Sequence, residues 1–582
     1  MTRSLLLGLA WLALLVSPFS EAVAQAPLSD PTPWQAEPEA AETIAPADAE
    51  PASVVEPPAS KLPALDDLAP GAAIVTEGQP LAIEEAVALA IQNGLDVEVE
   101  RFAPLIAEAG AQAAWGAYDP TLSADAQYNV AKSPNFSAFN PTDLRDPSSQ
   151  TNRDRILGGG AGVNQLIPYI GASVDARFDS SSRATRQIIQ PLDQQYDSSF
   201  FLTARVPLAR NLIWSAPWTN VKLAGYQSEA AEQQFRQALM DNVQRTVNRY
   251  WGLVAARDRV RVAQKSLETA RALLDQTQTQ YEVGVVSQVE VVEAEAGVAQ
   301  REFELIQTAN QYRNAQDELI EAVLGTKLVA ASDLQIVPTG DLSSYQLRGI
   351  DVERSVAEAF QKRPELDVAK NAILQDEVDL RFAKNQRLPQ VDVEGRFGYV
   401  GISGQGNDNL LAFGGNPPSI PVDTNYGEAT DEFFTGTGAD NYRVQGIFSI
   451  PFPNTTARRR VAQREFELRR SKTSQVRLEQ SIILEVRAAS RTLLSSAQRI
   501  ESAERRRQAA QEQLRAERIR LEHGESTPFE VLQREEDLVE AESQKINALQ
   551  LFHGAETALE RAQGTILDEH AVEVDAVRAP VR

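Results

Sequence analysis

A long stretch without proline, from Asn220 to Leu324, constrains the fold of this chain more than any other feature. Its apolar residues recur at helical spacing: Phe235, Leu239, Val243, Val247, Tyr250, Val254, Leu267, Leu274 and Tyr281. Such spacing places side chains on one face of an α-helix, where they can pack against a neighbour. At 1.5 Å per residue, a helix from Asn220 to Val283 extends roughly 95 Å, about three times the thickness of a bilayer core. The stretch therefore predicts a very long amphipathic helix.

The segment 281–287, Tyr-Glu-Val-Gly-Val-Val-Ser, interrupts this helix. Glycine adopts positive φ angles at little cost, and helices commonly end at such a residue. Gly284 therefore predicts a tight reversal of the chain. The apolar pattern resumes after it and predicts a second helix of about 40 residues, so that the two helices form an antiparallel hairpin.

A second hairpin of the same kind is predicted within residues 455–564. Its turn has the sequence Leu-Glu-His-Gly-Glu-Ser-Thr and is centred on Gly524. Gly284 and Gly524 are 240 positions apart, and the same shift carries Glu290 onto Glu530. Self-similarity at a fixed spacing indicates a repeated structural unit. The predicted architecture is therefore an internal duplication.

The duplication extends upstream of the hairpins. A shift of 269 positions superposes the amphipathic pattern that starts near residue 81 on residues 352–388, and it carries Pro120 onto Pro389. Each long helix, of about 64 to 68 residues, thus has shorter partners of about 35 to 40 residues that can stack end to end beside it. The shorter helices are predicted at residues 83–117, 285–324, 352–387 and 527–563.

The side-chain period changes from helical to two after each of these prolines. Apolar residues from Leu122 to Val130 alternate with polar ones, as do those from Val391 to Tyr399. This alternation predicts strands of about ten residues with one apolar and one polar face. Similar patterns occur at residues 160–166, 172–179, 202–206 and 442–445. Long polar connections are predicted at residues 131–154, 180–198 and 401–441.

Two interpretations of the strands remain open. A soluble antiparallel sheet with one solvated face would show the same alternation. A transmembrane barrel, with lipid outside and a water-filled lumen inside, is favoured by aromatic residues near the strand ends and by long connections on one side. Four to six strands from one chain cannot close a barrel that contains a channel, so several chains must share it. A trimer would have a barrel of about 12 or 18 strands, depending on which strand number is correct.

Segments outside the repeats differ in composition. Residues 1–24 are expected to be a secretory signal, because a short region with Arg3 precedes an apolar run and Ala-Val-Ala. Residues 25–79, rich in proline, alanine and glutamate, are expected to be a disordered leader. The two structural repeats, each with helices and barrel strands, are assigned to residues 80–330 and 331–565, and a C-terminal tail to residues 566–582.

Composition and motifs argue against several functions. The net charge of −25 disfavours nucleic acid as a partner, because its affinity depends largely on basic contacts to phosphate. Three scattered histidines and no cysteine leave little from which to build a metal site, and they exclude disulfides. The glycine-rich segments 158–162 and 401–406 do not have the lysine and the strand-to-helix context of a phosphate-binding loop. We therefore expect no catalytic residues, no cofactor and no enzymatic activity.

The opening helix, the proline-led strands at Pro120 and Pro389, and the paired glycine turns together resemble TolC-like outer-membrane efflux proteins, the outer membrane factors. The resemblance covers nearly all of residues 80–565. It implies an internally duplicated α+β membrane protein whose long antiparallel helical hairpins form a periplasmic tunnel continuous with a shared outer-membrane β-barrel in a homotrimer. It also implies a passive exit duct in the outer membrane of a Gram-negative-type envelope, docked to a periplasmic adaptor and energised by an inner-membrane transporter.

The same resemblance assigns functional residues. The glycine turns correspond to the tip against which adaptor hairpins dock: Val283, Gly284, Val285, Ser287, Gly524, Ser526 and Thr527. Acidic residues on the returning helices narrow the tunnel entrance in the family, and Glu290 and Glu530 correspond to them. A second acidic position, one helical turn further on, is Gln533 in this chain. Alternatively, the glycines are plain hairpin turns and the two glutamates belong to a solvated helix face.

Two alternative functions follow from the sequence. A type I secretion channel would have the same fold and a protein substrate, and nothing in the chain separates it from an efflux channel. A soluble periplasmic coiled-coil protein with a small sheet is the other alternative. It would be extracted without detergent, whereas a channel embedded in outer-membrane lipid would not.

Overall fold

The computed structural model describes residues 78–134, 151–185, 192–328, 335–346, 349–406, 425–435 and 439–574. The predicted signal, the leader up to residue 77 and the last residues of the C-terminal tail lie outside them. The chain divides into a strand unit, built from Ala113–Val221 and Asp379–Gln463, and a helical unit, built from the remaining described residues.

Helices dominate the described residues. They are α1 (Ile83–Asn93), α2 (Leu95–Trp115), α3 (Ala216–Glu282), α4 (Gln288–Leu324), α5 (Val352–Lys362), α6 (Pro364–Gln386), α7 (Tyr426–Thr435), α8 (Thr455–Glu522), α9 (Pro528–Gln563) and α10 (Ile566–Glu569). The two long helices, α3 with 67 residues and α8 with 68, confirm the predicted lengths. No helix in the described segments combines the length and the apolar character that a membrane-crossing helix needs.

The predicted apolar face of α3 is the buried face along most of the helix. The fully buried side chains there include Phe235, Leu239, Val243, Val247, Tyr250 and Val254. Near the end of α3 the prediction is wrong, because Leu273 rather than Leu274 is buried and Tyr281 is exposed. An α-helix drifts by roughly 20° per seven residues relative to a seven-residue repeat, so a pattern with steps of seven leaves the core face.

Two of the predicted shorter helices are each broken once. Gly94 separates α1 from α2, and Arg363 separates α5 from α6; both residues have extended backbone angles. The two breaks are 269 positions apart, the same shift that relates the two sequence patterns. Arg363 precedes Pro364, whose ring disfavours the helical conformation of the residue before it. Proline is then well placed as the first residue of α6.

The strand unit contains one antiparallel sheet. Its strands are β2 (Thr121–Pro134), β3 (Thr151–Leu166), β4 (Ser173–Ala184), β5 (Leu192–Pro207), β7 (Gln390–Gly406) and β8 (Ala439–Ser449), hydrogen-bonded in that order. The described residues therefore contribute six strands to this sheet, the larger of the two numbers that the sequence allowed. In the helical unit, β1 (Gln79–Leu81) and β6 (Ile336–Pro338) form a short parallel pair.

The strands are longer than predicted and extend into the segments predicted as connections, and α7 lies within the segment 401–441. Residues 135–150, 186–191 and 407–424 of those segments lie outside the described residues. β3 begins at Thr151, β4 continues to Ala184 and β5 begins at Leu192, all within segments that were expected to be loops. Side-chain alternation fades in these segments, but main-chain pairing continues because every backbone N–H and C=O still requires a partner. Polar side chains support the pairing, as in the 3.0 Å contact between the hydroxyls of Ser180 and Ser198.

Strand register separates the sheet into two chemically different faces. One row across all six strands is apolar and consists of Leu122, Val163, Ala176, Leu202, Phe397 and Tyr442. The next row, on the opposite face, consists of Ser123, Gly162, Arg177, Phe201, Gly398 and Asn441. Leu122 is 68% exposed and Tyr442 is 79% exposed, so the described residues leave much of the apolar face uncovered.

Candidate functional site

The turns at Gly284 and Gly524 have the same backbone geometry. Their φ angles are +81° and +74°, a region that side chains other than glycine rarely adopt. The Gly284 N–H donates to the Tyr281 carbonyl at 2.9 Å, and the Val285 N–H donates to the Gln280 carbonyl at 2.8 Å. In the second hairpin, Gly524 and Glu525 make the equivalent bonds at 3.0 and 2.8 Å, to Leu521 and Arg520. This pairing is a Schellman motif, which satisfies the last carbonyls of a helix.

A serine or threonine begins each returning helix. Ser287 is the N-cap of α4, and Thr527 is the N-cap of α9. The Thr527 hydroxyl accepts a hydrogen bond from the Glu530 backbone N–H at 3.4 Å. The Ser287 hydroxyl lies 3.4 Å from the Glu290 carboxylate. Both helix starts therefore have the Ser/Thr-x-x-Glu pattern of a capping box.

Glu290 and Glu530, the predicted constriction residues, each lie in the first turn of a returning helix and are half-buried. A carboxylate in the first helical turn interacts favourably with the positive end of the helix dipole. Each side chain therefore has a local role in starting its helix. Their assignment to a tunnel constriction stays a prediction, because it concerns an assembly of several chains.

The predicted docking residues differ in exposure between the two turns. Val283 is 71% exposed and Val285 is 72% exposed, so the first turn presents apolar side chains to its surroundings. In the second turn the Ser526 hydroxyl donates to the Glu517 carboxylate, and Gly524 and Thr527 are exposed. The two surfaces thus offer different chemistry, one apolar and one polar.

The hairpins pack against each other a short distance behind the turns. Leu273 of α3 forms a buried cluster with Leu514 and Leu521 of α8 and Val531 of α9. Gly297 of α4 lies so close to Leu532 of α9 that a Cβ atom would come within 2.8 Å of the leucine side chain. Across the described residues, no hydrogen bond or ion pair joins one turn directly to the other. Behind the turns, the two hairpins are joined by this apolar packing and by an ion pair between Arg301 and Glu536, at 3.9 Å.

Sequence reasoning missed one residue in this region, Glu535 of α9. It is 4% exposed, and its Oε2 atom has no hydrogen-bond partner. Burial raises the pKa of its carboxyl group, and the positive charges of Arg518 and Arg301 and the hydroxyl of Thr269 partly oppose this rise. Glu535 follows Val531 by four residues and precedes Leu538 by three, so its position on the apolar face was the available signal.

The polar face of the sheet contains a second group of charges. Arg177 of β4 reaches across β3, with its Nη2 atom 2.5 Å from Asp125 of β2 and its Nε atom 2.8 Å from Asp179. Gly160 of β3 lies between the two carboxylates in the strand register. A Cβ atom at Gly160 would lie 2.8 Å from Arg177 Nη2, so the glycine leaves the space that the guanidinium group occupies.

The sequence of this chain matches one known protein family. The sequence profile of the family described as "Outer membrane efflux protein" matches residues 160–325 and 356–565, which together are more than half of the chain. The chain belongs to the outer membrane efflux protein family. This confirms the resemblance to TolC-like outer membrane factors, and it associates the chain with outer-membrane channels rather than with enzymes.

Solved structures of outer-membrane proteins share the fold. The CmeC outer membrane channel of Campylobacter jejuni is 14% identical, with a TM-score of 0.56, covering 83% of this chain and 86% of that one. The outer membrane protein VceC of Vibrio cholerae is 14% identical, with a TM-score of 0.56, covering 83% and 96%. The MtrE outer membrane channel of Neisseria gonorrhoeae is 15% identical, with a TM-score of 0.55, covering 83% and 89%. A comparison with curated protein sequences finds no match for this family member.

Proposed function

We propose that three copies of this chain form a passive exit duct through the outer membrane, as one component of a tripartite efflux or export system. The observation that carries the proposal is the uncovered apolar face of the six-stranded sheet, opposite a face with charged and polar side chains. Such a sheet suits lipid on one side and water on the other. A soluble protein rarely leaves so large an apolar surface exposed.

The strand edges support assembly into a ring. β2 and β8 are the edges of the sheet and run in opposite directions, so β8 of one copy can pair antiparallel with β2 of the next. Three copies with six strands each give a barrel of about 18 strands, a size at which barrels leave an aqueous channel. The polar rows that contain Arg177 would then line the lumen.

The helical unit is proposed to form the periplasmic part of the duct. The exposed turns, with Val283, Gly284, Val285 and Ser287 in one hairpin and Gly524, Ser526 and Thr527 in the other, would contact the periplasmic adaptor. The apolar first turn suits the apolar side chains of an adaptor hairpin, and the polar second turn would determine its orientation. Glu290 and Glu530 would narrow the entrance and favour cations there. The inner-membrane transporter would supply the energy, and the adaptor would favour the open state by binding it more tightly.

Fractionation of expressing cells tests the proposal. We expect the protein in the outer membrane, released only by detergent, and migrating on an unboiled gel as an oligomer that boiling converts to the monomer. Closed barrels resist unfolding by detergent because all their backbone groups are paired. A species that is soluble in the periplasm without detergent would contradict the proposal and would favour the coiled-coil alternative.

A further inference from the structure

A cavity of about 520 Å³ lies within the helical unit, between α3, α8 and α9. Glu535 projects from α9 towards Thr269 of α3 and Arg518 of α8, and Arg301 of α4 is also among the charges that act on it. Glu535 is therefore a single side chain at which helices from both hairpins meet. It is two helical turns away from the turn at Gly524.

Two oxygen atoms in this cavity lining are buried without a hydrogen-bond partner. They are Glu535 Oε2 and Ser266 Oγ, on side chains that are 4% and 5% exposed. A buried polar group without a partner costs free energy, and a buried carboxylate costs more than a neutral group. The packed arrangement of the hairpins is therefore less stable with Glu535 than with an uncharged residue of the same shape.

We propose that Glu535 is a positioning residue for opening of the duct, because its carboxyl group must lose water when the hairpins pack together and regains water when they separate. This inference rests on the proposed function, because hairpin separation opens a duct only if the chain forms one. The separation of the hairpins can be observed independently of transport. The charged groups that face Glu535 across the cavity or act on it are Lys265, Arg301, Glu512, Arg515, Arg518, Glu522 and Glu542.

The direction of the pH effect follows from burial. Burial raises the pKa of Glu535 above its ordinary value, so the packed arrangement binds the proton more tightly than the separated one. The stabilisation of the packed arrangement is complete below the ordinary carboxyl pKa of about 4.3. It is lost as pH rises through the raised pKa. Between the ordinary and the raised pKa, the ratio of separated to packed hairpins should rise by up to about tenfold per pH unit, and above the raised pKa it should stay constant.

The chain has no cysteine, so two introduced thiols can be labelled selectively. Spin labels at Val289→Cys on α4 and Phe529→Cys on α9, positions that are 64% and 54% exposed, report the distance between the hairpins. Labelled chains are diluted with unlabelled chains so that only distances within one chain are measured. Between about pH 4 and about pH 8, we expect the population with the longer distance to grow with pH in the parent protein.

Glu535→Gln should keep the short distance at every pH, because the amide does not ionise in this range. Asp537→Asn is the matched control: its side chain is 43% exposed and pairs with Arg534 rather than with a charge that acts on Glu535, so the pH dependence should stay intact. If Glu535→Gln does not fold, Glu535→Met offers a neutral side chain of similar volume. A pH dependence that persists in the neutral variants, or a distance that does not change with pH in the parent, overturns the proposal. Neither result depends on whether the protein conducts ions, so failure of the proposed function would be detected separately.

Discussion

Glu290 and Glu530 each lie three residues after a helix N-cap, at Ser287 and Thr527. A glutamate at this position stabilises the first turn of a helix through its hydrogen bonds and through the helix dipole. A glutamate at a narrow tunnel entrance would instead act through its net charge on passing ions. The two roles respond differently to the same substitution, because glutamine fits a capping box as well as glutamate does.

The double variant Glu290→Gln, Glu530→Gln separates these roles. If the carboxylates form a ring at the entrance, the variant should fold and lose cation preference in a planar bilayer, and its stability should fall only by the helix-dipole contribution of the two charges, about 0.3–1 kcal/mol each. Reversal potentials in a salt gradient measure that preference. The variant Glu290→Ala, Glu530→Ala should show the same electrical change and should be less stable than the glutamine variant, because alanine also removes the side-chain hydrogen bonds of the capping box. Unchanged selectivity in the glutamine variant would leave only the capping role.

At the scale of the element, β3 is notable for glycines at three successive positions on the polar face, Gly158, Gly160 and Gly162. Glycine in a strand weakens it, unless a neighbouring group approaches closely enough to need the space. Arg177 is such a group, because it crosses β3 to reach Asp125. The glycines therefore allow an ion pair to link β4 directly to β2, which are not adjacent strands.

Gly160→Val should disrupt this link. Its Cβ atom would lie 2.8 Å from Arg177 Nη2, and the guanidinium group would have to leave the carboxylates. We expect a clear loss of the heat-modifiable oligomer in membranes. Gly395→Val on β7 is the matched control, because no heavy atom lies within 4 Å of a Cβ at that position and valine favours strands. Equal oligomer yields from both variants would show that the space at Gly160 is not required.

The elements differ in how far their sequence predicts them. The helices α3 and α8 are predictable because a period of 3.6 persists over many turns without proline, and the glycine turns end them clearly. The strand ends are not, since serine- and glutamine-rich segments carry no alternation although their backbones pair. The number of strands also required the structure, because β3 contains the run 158–160 of consecutive glycines, which hides its pattern.

The candidate site was predictable in part for the same physical reasons. Gly284 and Gly524 stand out because few other residues accept a positive φ angle. Glu535 was not predicted, because it belongs to a run of acidic residues, Glu535-Glu536-Asp537, that reads as a solvated surface. Its spacing from Val531 and Leu538 indicates the apolar face, but only the packing of α3 and α8 shows that Glu535 is buried while Glu536 is exposed.

At the scale of the whole molecule, closure between copies can be tested with thiols. Leu122 of β2 and Phe448 of β8 are both exposed, at 68% and 69%, and both lie on the apolar face of an edge strand. If β8 of one copy pairs with β2 of the next, cysteine pairs placed along these two edges should cross-link between chains. A membrane-permeant oxidant should then give dimers and trimers, and nothing larger, since a closed ring has no free edge.

The register between copies is not determined by one chain, so Leu122→Cys is combined in turn with Tyr442→Cys, Val444→Cys and Phe448→Cys. The control combines Leu122→Cys with Leu202→Cys, on the same face but on the central strand β5. This control should yield no cross-linked dimers or trimers. Cross-linked products that extend beyond trimers would indicate an open chain of copies and would contradict the ring.

The two edge strands, β2 and β8, also affect the assembly of newly made copies. In the described part of the chain, β2 and β8 each have a strand partner on one side only, so a folded single copy displays two rows of unpaired backbone groups. The rate at which copies associate depends on the square of their concentration. The rate at which an edge strand pairs with another, more abundant polypeptide depends only on the first power of that concentration. When expression of the gene is reduced, the yield of closed trimers should therefore fall more steeply than the amount of chain synthesised.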